Sequence, residues 1–287
     1  MREITLEELL EAGSHFGHQV TRHNPKARDF IFEARDNIHI IDLAKTKEGL
    51  EAAGAFVRSK AKDGLLLVVG TKRQAQPIVE AEIKKAIEAG ATGIFFAKNR
   101  WMGGTLTNSA EVKKNYQKLE NFRKMLKNDE EKAKYTKKEI GQMQKELVKL
   151  ENYYEGLLGM DQKPTLLFII DTHTEALAVK EANRMGVPTV GIVDTNANPL
   201  EIDYPIPAND DAVGSVELIT RYILEAWTEG QKNVEVEKKE EPKKSTKSEI
   251  KPVDLSPEVK KDTDEAAKKA SKGKRGRKPK VPTDLVE

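Results

Sequence analysis

Four short apolar runs, separated by stretches of helical character, limit what this chain can fold into. They are residues 65–69 (Leu-Leu-Leu-Val-Val), 94–97 (Ile-Phe-Phe-Ala), 166–170 (Leu-Leu-Phe-Ile-Ile) and 189–193 (Thr-Val-Gly-Ile-Val). A strand apolar at every position is buried on both faces. Strands alternating with helices then imply parallel pairing through right-handed crossovers, an α/β domain with a doubly wound, mostly parallel sheet. A final helix is expected over 211–229. Ahead of the first run, Thr5 and Glu8 form a capping box for a helix bearing Leu6, Leu9 and Leu10 and stopping at Gly13. Two short strands, 30–32 and 38–41, flank a hairpin at 34–37, and a helix is expected over 43–62.

A long charged segment interrupts the alternation. Ile140, Met143, Leu147, Leu150, Tyr154 and Leu157 follow a 3,4 spacing, and Val112, Tyr116, Leu119, Phe122 and Leu126 nearly match it. With a break at Asn128-Asp129, residues 109–158 read as an antiparallel helical hairpin zipped by one seam. The globular domain is then 1–108 together with 159–231. Beyond lies a segment of Lys, Glu, Pro, Ser and Thr ending in Lys272-Gly273-Lys274-Arg275-Gly276-Arg277-Lys278. Residues 232–287 are expected to be a disordered basic tail, because they offer too little apolar area to offset the entropy of ordering.

Charge narrows the function. The tail holds 17 of the 49 Lys and Arg but only 12 of the 47 Asp and Glu, so the rest of the chain carries more acid than base. A nucleic-acid surface on the folded part must be a local patch. The chain has no Cys, which removes disulfides, thiolate nucleophiles and cysteine metal sites and fits a cytoplasmic location. No run is long enough to span a bilayer, and no membrane partner is expected.

The richest local chemistry follows the second apolar run: Lys98, Asn99, Arg100, Trp101, Met102, Gly103, Gly104. Two cations suit phosphates, glycines let the backbone approach a ligand, and the indole offers a stacking face. The segment reads either as an attachment surface for a polyanion or as a Trp-anchored loop with solvated charges. Lys72 and Arg73 follow the first run, on the same rim. Arg22, Lys26 and Arg28 form a basic loop near the N-terminus. No phosphate-loop or dinucleotide fingerprint occurs, and no nucleophile sits at a glycine elbow, so a cofactor-bearing enzyme or hydrolase is disfavoured. His18, Asp194 and Asp211 form a candidate metal set that could hold Zn²⁺ with water. Internal packing for His15 and capping of turns or helices for the aspartates is the preferred reading. Asp171 and Thr174 are expected to end a strand and cap the next helix.

Collinear motifs tie these pieces together. Residues 9–18 (Leu-Leu-Glu-Ala-Gly-Ser-His-Phe-Gly-His), 24–26, 37–43, 69–75, 99–104, 164–171 with 180–183 and 186–188, 193–196 and 206–212 resemble the signatures of the bacterial small-subunit ribosomal protein two family. The resemblance covers about 1–231. It implies a flavodoxin-like three-layer domain with a protruding helical hairpin. It also implies a structural, non-enzymatic role: binding small-subunit ribosomal RNA and neighbouring ribosomal proteins between head and body, and helping recruit the large RNA-binding protein S-one. The tail falls outside it. Two alternatives stay open on the residues alone. One is an enzyme binding a nucleotide or sugar phosphate at the sheet's carboxyl edge. The other is a non-ribosomal assembly in which the hairpin is a docking arm.

Overall fold

The computed structural model describes residues 3–62 and 64–240. The chain opens with α1 (Leu6–Glu11), whose capping box between Thr5 and Glu8 is formed as expected. Three short strands follow, β1 (Phe16–Gln19), β2 (Ile31–Arg35) and β3 (Ile38–Ile41), in an antiparallel sheet with β3 central. Asp36 and Asn37 make the β2–β3 turn with φ of 49° and 63°. Asp and Asn tolerate that left-handed region better than other side-chain-bearing residues. β1 was not expected: Gly17, His18 and Gln19 have little strand propensity, and pairing with β3 overrides it.

The rest is α2 (Leu43–Lys60), β4 (Leu66–Val69), α3 (Ala75–Glu88), β5 (Ile94–Ala97), α4 (Ser109–Lys127), α5 (Asp129–Lys132), α6 (Lys137–Tyr154), β6 (Leu166–Ile169), α7 (Ala176–Met185), β7 (Thr189–Val193), β8 (Tyr204–Pro207) and α8 (Val213–Glu240). Five parallel strands pair in the order β5-β4-β6-β7-β8. The chain runs outward from β4 to β5, returns to β6 and continues the other way. The order therefore reverses between β4 and β6, and a crevice opens outside their carboxyl ends. β8 was missed because Pro205 and Pro207 argue against a strand. It lies at the sheet's edge, where a missing N–H costs no ladder bond.

Alternate residues of each strand face opposite layers. Leu66, Val68, Leu166, Phe168, Val190 and Ile192 pack with α2, α3 and α8 around buried Trp227. Leu67, Val69, Leu167 and Ile169 pack with α7, Trp101 and the root of the α4–α6 hairpin, through Val112, Leu119, Tyr154 and Leu157. The hairpin expected over 109–158 is present, with the short α5 at its turn. Its seam is reinforced by Arg123 on Glu151 at 2.7 Å and by Lys118 on Glu146. α8 continues through Glu240, past the boundary that composition suggests at 231, because its Glu- and Lys-rich sequence retains helix propensity. The remainder of the expected tail lies outside the described residues.

Candidate functional site

The carboxyl edge of the parallel sheet carries two kinds of charged group, set apart by whether they have partners. At its centre, beside the β4/β6 crevice, Lys72 points inward. Its ammonium lies 3.0 Å from Asp171 Oδ2, 2.7 Å from Asp210 Oδ1 and 2.7 Å from Asp211 Oδ1. Asp171 and Asp210 are 2% and 0% exposed. Burial alone would lower the lysine's pKa, but the carboxylates around it prevail and raise it, so the cation is fixed at neutral pH. Burial, together with the charges of Asp171 and Asp194, pushes Asp210 up to about 8 against the pull of Lys72. The expectation that Lys72 is a free phosphate contact therefore does not fit its surroundings: three aspartates hold it.

Asp171 adopts φ 67° at the end of β6. Its carboxylate accepts the N–H groups of His173 (3.0 Å) and Thr174 (2.9 Å) and the Thr174 hydroxyl (2.5 Å). The strand end was correctly expected, but Thr174 donates to Asp171 rather than capping the helix itself. α7 begins after Glu175.

His18 comes from β1 and joins the other side of the cluster. Its Nδ1 is 3.1 Å from Asp194 Oδ2 and its Nε2 3.6 Å from Asp211 Oδ2. The hydrogen bond with Asp194 raises its pKa, burial opposes, and the charges of Asp194, Asp210 and Asp211 add to the rise. The donor set that converges tightly is His18, Asp194 and Asp210, each offering one atom within 4.8 Å of the others. Asp210 stands here in place of the Asp211 that the sequence suggests. Asp211 is 52% exposed and turns one oxygen to Lys72, whereas its neighbour is fully buried with Oδ2 lacking a hydrogen-bond partner. Adjacent aspartates cannot be told apart from sequence without the direction of each side chain. His15 lies outside this cluster, its ring 4.0 Å from that of Phe16 between centroids.

Around this acidic centre the rim is basic. Arg73 follows β4 and Arg100 follows β5, and both are exposed. The loop bearing exposed Arg22, Lys26 and Arg28 is tied to the end of β7 by the Asn24 N–H on the Thr195 carbonyl, at 2.7 Å. Among the described residues, none of these five side chains has an ion-pair or hydrogen-bond partner. Lys98 differs: it pairs with Glu80 and lies 4.0 Å from Glu155. Asn99 donates to the Asn152 carbonyl at 2.6 Å and fastens the loop to α6.

Trp101 is 5% exposed and belongs to the same buried cluster as Met160 and Leu167. The Trp-anchored loop is therefore present and no indole face is free for stacking. Past this anchor Gly103 is exposed, and Gly104 takes φ 93°, a conformation that favours glycine. Glu181 organises this loop and was missed. Its carboxylate accepts from the Trp101 indole and from Gly104, Leu106 and Thr107. Nothing in its sequence position, inside an amphipathic helix, distinguishes it from a surface glutamate.

Comparison with known proteins gives the family. The profile of a family described as "Ribosomal protein S2" matches residues 9–230. A protein of Geotalea uraniireducens named "Small ribosomal subunit protein uS2" is 46% identical over 231 residues, covering 80% of this chain and 88% of that one. Proteins with the same name from Dictyoglomus thermophilum and Coprothermobacter proteolyticus are each 44% identical across 80% of this chain, covering 92% and 84% of their own lengths. Among the described residues, no helix is long and apolar enough to cross a membrane.

Proposed function

The chain belongs to the ribosomal protein S2 family, a ribosomal protein of the small subunit and not an enzyme, and from that premise we propose that it enters the subunit by laying the basic rim of its sheet edge on ribosomal RNA. The observation that carries this reading is the division of charge at that edge. Arg22, Lys26, Arg28, Arg73 and Arg100 are exposed and unpartnered, while Lys72 and Lys98 are held by carboxylates. Unpaired guanidinium groups suit phosphate oxygens bidentately, and the exposed Gly103 backbone allows close approach. The acidic centre repels phosphates, so RNA would follow the rim rather than fill the crevice. Neighbouring ribosomal proteins, protein S-one among them, would be its further partners in the subunit. The site of action is the cytoplasm, with the ribosome.

The test is rebinding to small subunits stripped of this protein by a salt wash. Arg73→Ala and Arg100→Ala should each weaken rebinding and flatten its dependence on salt. Unchanged binding by both, with the fold intact, would overturn the RNA-facing assignment of this edge.

The buried, partnerless Asp210 Oδ2 supports a second element of the reading. His18, Asp194 and Asp210 have the donor types that suit Zn²⁺, and an ion there would tie β1 to the loops after β7 and β8. Zn²⁺ should then raise the melting temperature of the wild type and leave His18→Ala unaffected. An equal response of both proteins would exclude this site.

A further inference from the structure

The segment from Trp101 to Thr107 contains neither strand nor helix, yet five of its donors converge on one side chain. Glu181 Oε1 accepts the Gly104 N–H at 2.7 Å and the Trp101 indole N–H at 3.2 Å. Its Oε2 accepts the Leu106 N–H at 3.1 Å, the Thr107 N–H at 3.2 Å and the Thr107 hydroxyl at 3.1 Å. The residue sits on α7, 6% exposed. An ionised carboxylate is the one side-chain group that can meet such a set, since both oxygens only accept. Burial favours its neutral form, but the bonds from Gly104, Trp101, Thr107 and Leu106 prevail and lower its pKa, which leaves it charged at neutral pH.

We propose that Glu181 is a positioning residue for RNA binding, its carboxylate holding the 101–107 loop in the one shape that presents Arg100 and the Gly103 backbone to phosphates. The inference rests on the reading of the basic rim given above. Glu181 is enclosed by the loop and by α7, so it acts through the loop. A loop fixed beforehand loses less conformational entropy on binding, and affinity rises accordingly. The neighbouring contacts fit this role. Asn99 fastens the preceding residues to α6, so Arg100 lies between two anchored points. The left-handed φ of Gly104 turns its N–H onto the carboxylate.

Glu181→Gln tests the inference. The amide keeps the size of the side chain but replaces one acceptor with a donor, which would then face N–H groups that themselves donate. The full chain is assayed for rebinding to salt-stripped small subunits across a salt series, and free chains are compared by amide hydrogen exchange. The expected result is a cooperative melt, faster exchange at Gly104, Leu106 and Thr107, and roughly tenfold weaker binding, with the wild-type salt slope because no phosphate contact is removed. Arg100→Ala should instead lower the slope. Wild-type affinity in Glu181→Gln despite faster loop exchange would overturn the positioning role while leaving the rim reading intact, provided Arg100→Ala still weakens binding. If Arg100→Ala and Arg73→Ala bind as wild type, the rim reading itself fails. Should the glutamine variant not fold, Thr107→Val removes one of the five donors at an exposed position and must show the same pattern in smaller measure; wild-type affinity there would count against the role. Free exchange at these amides in the wild type would overturn the inference at once.

Discussion

Lys72 and Arg100 are both cations on loops leaving adjacent strands, and their environments give them opposite roles. Removing Lys72 leaves the Asp171 carboxylate buried without its cation, a loss of about 3 kcal/mol for a broken buried pair. Lys72→Ala should therefore lower the melting temperature markedly and leave the salt slope of subunit binding unchanged. Arg100→Ala should leave the melt nearly untouched and reduce the slope by about one ion. Thermal melts with salt titrations of both variants decide the matter. The residue types of the site were legible in the sequence: the cations, the glycines and the histidine-aspartate set. Side-chain direction was not, which is why the stacking reading of Trp101 and the free-cation reading of Lys72 do not fit their surroundings, and why Asp210 rather than Asp211 converges most tightly with His18 and Asp194. His39 supplies a prediction about pH. Burial, and then the charge of His23, lowers its pKa, and neither ring nitrogen has a partner. Below about 6.5 the unfolded chain takes up a proton that the folded one resists. The stability contributed by the neutral ring is therefore complete above that pH and declines as pH falls through and below it. His39→Phe should lose less melting temperature than the wild type between pH 7 and pH 5. An identical decline in both would place the acid sensitivity elsewhere.

At the scale of elements, patterning made most of the fold legible. The buried runs became β4 to β7, and the 3,4-spaced residues became the hairpin seam. What escaped was decided by neighbours rather than by local sequence. β8 contains two prolines and exists because β7 offers an open edge. β1 has weak propensity and forms on β3. The hairpin's attachment to the domain can be tested at its seam. Leu119 is fully buried between the two helices, whereas Val148 is 55% exposed. Leu119→Ala should cost about 2–5 kcal/mol, from lost transfer energy and a residual cavity. Val148→Ala should stay within about 0.5 kcal/mol. Denaturant melts give both values, and equal effects would mean that the seam contributes nothing to stability.

Across the whole molecule, an acidic body carries a local basic edge, so the attraction for RNA depends on where charge is exposed and not on net charge. Such binding is governed by counterion release, and its salt dependence counts the phosphates engaged. The most direct measurement is the log–log salt dependence of rebinding to small subunits stripped of this protein, for the wild type and for Arg22→Ala, Arg73→Ala and Arg100→Ala. The account predicts a steep wild-type slope that falls by roughly 0.7–0.9 with each substitution, while each variant keeps the wild-type melt. Binding that is indifferent to salt, or a slope that none of the three changes, would contradict it.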